Sequence, residues 1–322
     1  MSDGAVLGMP RWRIAQVLAL AATITLIALL LVTPHTGLVL LWDVAVPILP
    51  AVFLIQPGLW RNICPLATIN TLGNRWSLGL TVKGRGVAVV SGVGIALLAV
   101  MVPARRFLFN SDGPALAWVI AAVALLALAL GLIFEQRSGF CSGICPVLPV
   151  ERLYGQSPLT LVANPRCNPC TLCISRGCLD LSQSKSIPQI LGRNRKTHSW
   201  LQSGFGVFAA SFPGFVLGYY LTSDGDIGTA GTAYLTIGVA SVVSYLTTQL
   251  VVRILNLSSA TAIRVLGTLG VALYYWFGAA TIAAHLSLPA WSAGLIRLAS
   301  FSLIAVWLWR GIPDRGPALS TS

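Results

Sequence analysis

The chain has 322 residues, of which 56% are hydrophobic and only 9% are charged, and its mean hydropathy is +0.80. Soluble domains carry about 25% charged residues, so this composition excludes an ordinary soluble protein and indicates a helical protein that crosses a membrane several times. The net charge of +12 does not predict a nucleic-acid partner, because basic residues of membrane proteins collect in cytoplasmic loops.

Eight segments have the length and apolar character of transmembrane helices, which need about 20 residues each. The first follows the arm MSDGAVLGMPRWR and is longer than the apolar core of a signal peptide, with no convincing cleavage site, so it predicts an uncleaved helix. The eight predicted spans are residues 13–33, 38–57, 85–103, 114–134, 204–222, 229–252, 263–285 and 290–309.

Lys and Arg residues are unevenly distributed over the loops between these spans. Eight spans place the N-terminal arm, the loops after spans 2, 4 and 6 and the C-terminal tail on one side, and these segments hold 18 of the 21 Lys and Arg residues. The positive-inside rule therefore predicts a multi-pass protein of the bacterial inner membrane, with both termini and the loop 135–203 in the cytoplasm.

The spans and cysteines divide the chain into three predicted regions. Residues 1–134 form a four-helix membrane half with a Cys-Pro loop, residues 135–203 a cytoplasmic cysteine-rich insert, and residues 204–322 a second four-helix membrane half. All seven cysteines precede the second half, so the first two regions are expected to carry the chemistry.

The ends of spans 2 and 4 carry similar sequences, GLWRNICPLATINTLG and SGFCSGICPVLPVERLYG. Both place Ile-Cys-Pro just past a helix and a glycine nine or ten residues after the cysteine, which is a weak duplication of a two-helix unit. Cys141 stands four residues before Cys145, whereas Trp60 takes that position before Cys64. One Cys-Pro would be read as a helix-terminating turn; two copies beside further cysteines favour metal ligands.

The insert contains CNPCTLCISRGC, in which Cys167, Cys170 and Cys173 are separated by two residues each and Cys178 follows after four. Disulfides are disfavoured in the cytoplasm, and zinc sites usually pair two such elements across a longer gap. The spacing indicates a ferredoxin-type [4Fe–4S] cluster. Cys178 departs from the usual fourth position, so it either closes this cluster or reaches a second one.

Seven thiols are one short of two fully cysteine-ligated cubanes. The alternatives are two clusters, one with three irons or a non-cysteine ligand, and a single cluster in the insert with another role for the Cys-Pro thiols. We favour two clusters, because four plus three thiols on one membrane face have no other obvious use.

The motifs NICPL, CSGICPVLP and CNPCTLCISRGC, set among membrane helices, resemble those of the ferredoxin-type polytopic membrane iron–sulfur proteins. That group includes the membrane subunits of periplasmic nitrate reduction and methylamine utilisation, a nitrous-oxide-reductase maturation protein and a cytochrome-oxidase assembly factor. The resemblance covers residues 38–183, with Trp60 in place of one expected cysteine and one ferredoxin run. It implies all seven cysteines as cluster ligands: Cys64, Cys141, Cys145, Cys167, Cys170, Cys173 and Cys178.

The expected function is electron transfer between a membrane carrier, quinone in the first instance, and a cytoplasmic or complex-bound redox partner. Two alternatives are an assembly factor that reduces a metal or thiol for another metalloenzyme, and a scaffold subunit of a larger respiratory or photosynthetic complex. The chain has no Gly-rich nucleotide loop and no catalytic dyad, so an electron-transfer subunit is favoured over an independent enzyme.

A few residues outside the cysteine motifs are weaker candidates. His35 and His285 are predicted to lie on the side of the membrane opposite the cysteines. Without a second pair of histidines they do not predict a haem. Asp43 and Glu135 lie near helix ends and are candidates for proton movement, with Glu135 preferred. Arg297 is interpreted as an interfacial anchor. The aromatic runs at Tyr219–Tyr220 and Tyr274–Phe277 fit either a quinone pocket or the aromatic belt of a membrane interface.

Overall fold

The computed structural model describes residues 9–82, 85–135, 139–156, 158–160 and 198–311. Within these ranges the chain is helical, and the β-type pairing there is one isolated bridge between Leu80 and Phe134. The helical class and the count of eight spans are therefore confirmed. Helices long and apolar enough to cross a membrane occupy Trp12–Val32, Pro34–Ile55, Arg85–Phe109, Gly113–Ile133, Gly204–Leu221, Ile227–Ile254, Ser259–His285 and Ser292–Trp309, and are called spans 1 to 8.

Spans 2 and 3 each contain a π-helical segment. Span 2 consists of helix Pro34–Val39, a π segment Leu40–Ala45 and helix Val46–Ile55, while span 3 continues from helix Arg85–Ala104 into a π segment Arg105–Phe109. Span 2 therefore begins four residues before its predicted start, because a proline is well accommodated in the first helical turn. π turns inside helices are frequent at functional sites.

Short helices fill the ends of the bundle. Span 1 is the apolar part of helix Met9–Val32, span 6 joins a 3₁₀ turn Ile227–Thr229 to helix Ala230–Ile254, and span 8 is part of helix Ser292–Gly311. The other short elements are Pro57–Ile63, Pro65–Gly73, the 3₁₀ turns Asn74–Trp76 and His198–Gln202, the π turn Phe140–Ile144, and Leu148–Tyr154.

The spans alternate in direction, which gives the bundle two ends. We call the end at which span 1 begins the proximal side and the opposite end the distal side. The distal loops contact one another: the Gly225 N–H donates to the Arg106 carbonyl oxygen at 2.8 Å, and the Trp42 indole N–H donates to the Phe109 carbonyl oxygen at 2.8 Å. The Cys-Pro segments follow spans 2 and 4 and belong to the proximal half.

The main buried core lies between spans 2, 5 and 7 and holds large aromatic side chains such as Phe53, Tyr154 and Trp200. Span 5 approaches span 6 closely, because a Cβ atom at Gly214 would lie only 2.1 Å from the Ala240 carbonyl oxygen. Small residues allow such backbone contact between membrane helices. A second buried cluster joins spans 1 to 4 near the distal side.

The described parts of the predicted insert belong to this bundle. Leu153 and Tyr154 on one flank and Trp200 and Leu201 on the other are buried in the main core. The ferredoxin-type run with Cys167, Cys170, Cys173 and Cys178 falls in 161–197, outside the described residues. Apolar residues of the short flanking helices thus complete the main core, and the division into three regions stays a prediction.

Candidate metal centre

The two Cys-Pro segments share one backbone conformation. Cys64 has φ −54° and ψ 123°, and Cys145 has φ −59° and ψ 121°. A following proline disfavours the helical region for the residue before it, so each cysteine ends one helix and precedes the next. The Cys64 N–H donates to the Trp60 carbonyl oxygen at 2.8 Å and the Cys145 N–H to the Phe140 carbonyl oxygen at 3.0 Å.

The structure brings the cysteines of the two segments together. Cys64, Cys141 and Cys145 line one cavity of about 30 Å³, although Cys64 lies in the first segment and the other two in the second. We call it the cysteine cavity; it has space for a water molecule or two. The remaining lining residues are Trp60, Arg61, Leu66, Ala67, Phe140, Ser142, Val147 and Glu151.

The three cysteines of this cavity supply thiols, the ligand type of iron–sulfur clusters. Within the described ranges, no group of three or more His, Cys, Asp or Glu side chains converges closely enough to hold one metal ion. Ligands of an iron–sulfur cluster attach to different irons and so need not converge on one point. Three thiols around a small shared cavity fit the chemistry of such a cluster, whose usual ligands are cysteine thiolates.

The second Cys-Pro segment lies well inside the bundle. A Cβ atom at Gly94 of span 3 would lie 3.1 Å from the Cys145 carbonyl oxygen and 3.3 Å from the Gly143 carbonyl oxygen. Gly94 is nine residues after Arg85, which corresponds to about 14 Å along the helix axis. Span 3 therefore covers this irregular segment at close range.

A buried ion pair connects the two segments beside the thiols. The Arg61 Nε atom donates to the Glu151 Oε1 atom, and both side chains are more than nine-tenths buried. Arg61 lies three residues before Cys64, and Glu151 lies six residues after Cys145. The pair therefore fixes the relative position of the two cysteine-bearing segments and places a guanidinium beside the thiols.

The Cys145 thiol is strongly shifted towards its neutral form. Burial and the neighbouring Cys64 raise the pKa of Cys145 to about 12, the Val147 backbone hydrogen bond opposes them, and the Glu151 carboxylate adds a smaller rise. A metal ligand must be the thiolate, so metal binding would have to displace this proton. At neutral pH this partly buried thiol therefore keeps its proton in the absence of a metal.

The insert is attached close to this centre. The Leu159 and Thr160 N–H groups donate to the Leu54 and Ile55 carbonyl oxygens at 3.0 and 2.9 Å. These carbonyls end span 2, just before the helix that leads to Cys64. The chain therefore enters the region of the remaining four cysteines from a point beside the first Cys-Pro segment.

The distal side holds a second, larger cavity of about 280 Å³, which we call the distal cavity. His35 and His285 both line it, and the His285 Nδ1 atom lies 3.0 and 3.1 Å from the two carboxylate oxygens of Asp43. Asp43 is buried, with 8% of its surface exposed. Glu135, the acid preferred from the sequence for proton movement, lines neither of these two cavities, and its role stays a prediction.

The aromatic runs separate into two groups. Tyr219, Tyr220 and Tyr274 line the distal cavity, and Phe277 stacks on Tyr220 with ring centroids 5.4 Å apart. Trp276 points elsewhere and is half-exposed. Its carbonyl oxygen accepts a hydrogen bond from Arg297 Nε at 2.9 Å, and the guanidinium carbon lies 4.7 Å from the indole ring, which fits the anchor predicted for Arg297.

Sequence reasoning missed four charged residues at these cavities. The sequence analysis did not single out Arg61 or Glu151, and it ended span 3 at residue 103, which left Arg105 and Arg106 in a distal loop. The signal for Arg105 and Arg106 was their positive charge on the side with few basic residues. They are two of only three Lys and Arg residues that the eight-span arrangement places outside the basic segments.

No protein-family model, curated protein or solved structure matches this chain. The fold and the cysteine cavity define an eight-helix architecture with three thiols gathered inside its proximal half. The resemblance to the ferredoxin-type polytopic membrane proteins rests on the cysteine motifs and stays a prediction.

Proposed function

We propose that this chain is an electron-transfer protein of a bacterial inner membrane that holds one or two [4Fe–4S] clusters on its cytoplasmic side. In this proposal the proximal side faces the cytoplasm, as the basic loops predict. Electrons pass between a membrane carrier of the quinone class and a cytoplasmic or complex-bound redox partner. The chain acts as one step of that transfer and does not turn over a substrate alone.

The observation that carries the proposal is the convergence of the two Cys-Pro segments. Cys64 and Cys145 adopt nearly the same backbone angles in separate parts of the chain and line the same cavity with Cys141. The proline after each cysteine accounts for the matched angles, so the support for ligation is that thiols from two separate segments line one cavity. Shared ligation of one group gives a reason for that convergence.

The residues divide into two ligand sets in this proposal. Cys64, Cys141 and Cys145 would hold one cluster, to which Cys178 is a possible fourth ligand, and the remaining insert cysteines would hold the other. A bound cluster supplies one-electron chemistry that no side chain of this chain provides.

The protein environment sets how readily a cluster at the cysteine cavity would accept an electron. Arg61 places a positive charge near the thiolates, and Glu151 keeps that guanidinium in position. Charge, hydrogen bonding and burial around a cluster tune its reduction potential. Trp60 and Phe140 line the same cavity and give it apolar surface.

The test is electron paramagnetic resonance of protein purified without oxygen and reduced in steps. We expect signals of reduced iron–sulfur clusters in the wild-type protein. Cys64→Ser and Cys145→Ser should both remove the same signal, while Ser142→Ala, which changes another residue of the cavity lining, should retain it. Identical spectra for all three variants would contradict ligation by the Cys-Pro thiols, and a protein without any cluster signal would contradict the function.

A further inference from the structure

The distal cavity lies on the side of the bundle opposite the cysteines. It is enclosed by the distal ends of spans 2, 3, 5 and 7 and has a volume of about 280 Å³. Pockets for drug-sized ligands begin at roughly 300 Å³, so the space suits one ring-sized head group. The π segments of spans 2 and 3 line it, supplying Trp42 and Asp43 from span 2 and Arg105 and Arg106 from span 3.

Aromatic rings form much of its wall. Tyr219 and Tyr220 contact each other with centroids 5.3 Å apart, and Tyr220 contacts Tyr274 at 6.3 Å. Trp42 also lines the cavity, and the Arg105 guanidinium carbon lies 3.6 Å from the centroid of its ring. Flat apolar walls of this kind favour a planar ring as the ligand.

Asp43 and His285 form the acid–base pair of the cavity. With Asp43 ionised, His285 Nδ1–H donates to the carboxylate and Nε2 presents a lone pair. Asp43 is buried, whereas about half of the His285 side chain is exposed. A buried acid in a spanning helix is a functional candidate by default. This pair joins a protected carboxylate to an imidazole that reaches the distal solvent.

Two arginines supply positive charge to the same space. Arg106 is held by Asp224 at 3.0 Å and by the Tyr219 carbonyl oxygen at 3.0 Å. Arg105 donates through Nε to Asn110 Oδ1 at 3.2 Å while its guanidinium lies over the Trp42 ring. Guanidinium donors would stabilise negative charge on a ring oxygen that loses its proton.

The aromatic residues continue towards the cysteine cavity. Tyr274 contacts Tyr275 at 5.2 Å, Tyr275 shares the main core with Phe53, and Phe53 contacts Trp60 of the cysteine cavity at 6.4 Å. Arg105 is eleven residues beyond Gly94 along span 3, which is about 16 Å along the axis. The two cavities therefore lie within one bundle at a moderate separation, with aromatic rings between them.

We propose that the distal cavity binds the head group of a membrane quinol and that the Asp43–His285 pair takes up its protons and releases them on the distal side. Oxidation of one quinol to quinone breaks two O–H bonds and yields two electrons and two protons. Each proton passes in turn to His285 Nε2 and on to the distal solvent. The electrons need a one-electron oxidant, which the iron–sulfur centre of the proposed function provides; the oxidation step thus rests on that function, whereas binding does not.

The binding test uses the purified full-length protein and a photoreactive short-tailed quinone, with the labelled peptides mapped by mass spectrometry. We expect labelling within residues 35–47, 105–110 or 274–285, with protection by excess unlabelled quinone. Arg105→Gln should weaken that protection by roughly tenfold, the effect of losing one hydrogen bond to a charged group. Arg297→Gln is the matched control, because Arg297 also stacks on a tryptophan but lies outside the cavity.

Several outcomes would overturn the proposal. These are labelling spread over the outer faces of the spans, protection by an isoprenoid alcohol or an anionic phospholipid as strong as that by quinone, and equal protection in the two arginine variants. The iron content of the same sample separates this proposal from the proposed function. Specific labelling of iron-free protein would support quinone binding in the distal cavity and contradict the proposed function. Clusters in a protein that is not specifically labelled would support the proposed function and contradict quinone binding in the cavity.

Discussion

Arg61 and Glu151, ninety residues apart in the chain, form a buried ion pair between the two Cys-Pro segments. The two repeated segments are thus joined in the fold by residues of their own that lie outside the Ile-Cys-Pro motif. Because the pair lines the cysteine cavity, any change that separates the segments should also separate their thiols. The pair is therefore a structural determinant of the candidate metal centre.

The first prediction concerns this pair. Glu151→Leu should destabilise the protein by about 3–5 kcal/mol, because it leaves the Arg61 charge buried without its carboxylate. Asp224→Leu, which breaks the exposed pair with Arg106, should cost only about 0–1 kcal/mol. Thermal unfolding in detergent measures both, and an equal effect of the two changes would contradict the role given to Glu151.

Gly94 tests whether span 3 positions the Cys145 segment. A Cβ atom there would meet two carbonyl oxygens of that segment within 3.3 Å, whereas a Cβ atom at Gly92 would meet nothing within 4 Å. Gly94→Val should therefore displace Cys145 and lower the iron content, and Gly92→Val, on the same helix, should not. Iron retention equal to wild type in Gly94→Val would show that the segment adapts without loss of the site.

The Cys145 thiol should react slowly in metal-free protein. Burial and Cys64 raise its pKa from 9.0 to about 12, and only the thiolate attacks an alkylating reagent. At neutral pH, Cys145 in folded, iron-depleted protein should be alkylated much more slowly than in unfolded chain, as quantified by peptide mass spectrometry. Equal rates would contradict the burial of this thiol.

The same shift predicts a loss of stability in alkali. The folded state keeps the Cys145 proton over a range in which the unfolded chain has released it. The unfolded state therefore binds fewer protons, and the free energy of unfolding falls as pH rises from 9.0 towards about 12. In metal-free protein, Cys145→Ala should flatten this part of the stability profile; an unchanged slope would assign it to other groups.

Asp43 provides a kinetic test of the distal side. Asp43→Asn removes the charge that orients His285, so quinol-driven reduction of the protein should slow by roughly 100-fold, the lower range for loss of general base catalysis. Asp226→Asn changes an exposed distal acid outside the cavity and should leave the rate unchanged. Stopped-flow absorbance follows the reaction, and matching rates for the two variants would exclude Asp43 from proton transfer.

The eight spans were predictable because each is a long apolar run, and a hydropathy pattern is a local property of the chain. The end of span 3 was placed too early because Arg105 and Arg106 look like loop residues. In the fold their guanidinium groups lie over Trp42 and Tyr219 and contact polar partners, so they complete a π segment at the distal side.

The meeting of the cysteines was foreseen from their repeated motif, but the supporting contacts were not. Asp43 and His285 are 242 residues apart, and no local pattern pairs a side chain of span 2 with one of span 7. Glu135 was preferred for its closeness in sequence to Cys141, yet the fold gives the buried acid of the cysteine cavity to Glu151. Proximity along the chain was a poor guide because helix packing decides which side chains meet.

The most direct measurement for the central claim is the amount of iron, acid-labile sulfide and zinc per chain in protein purified without oxygen. The account predicts about seven or eight irons with matching sulfide, corresponding to two clusters that use both the insert and the Cys-Pro thiols. About four irons would confine the cluster to one set of cysteines. Zinc without sulfide would contradict the electron-transfer function altogether.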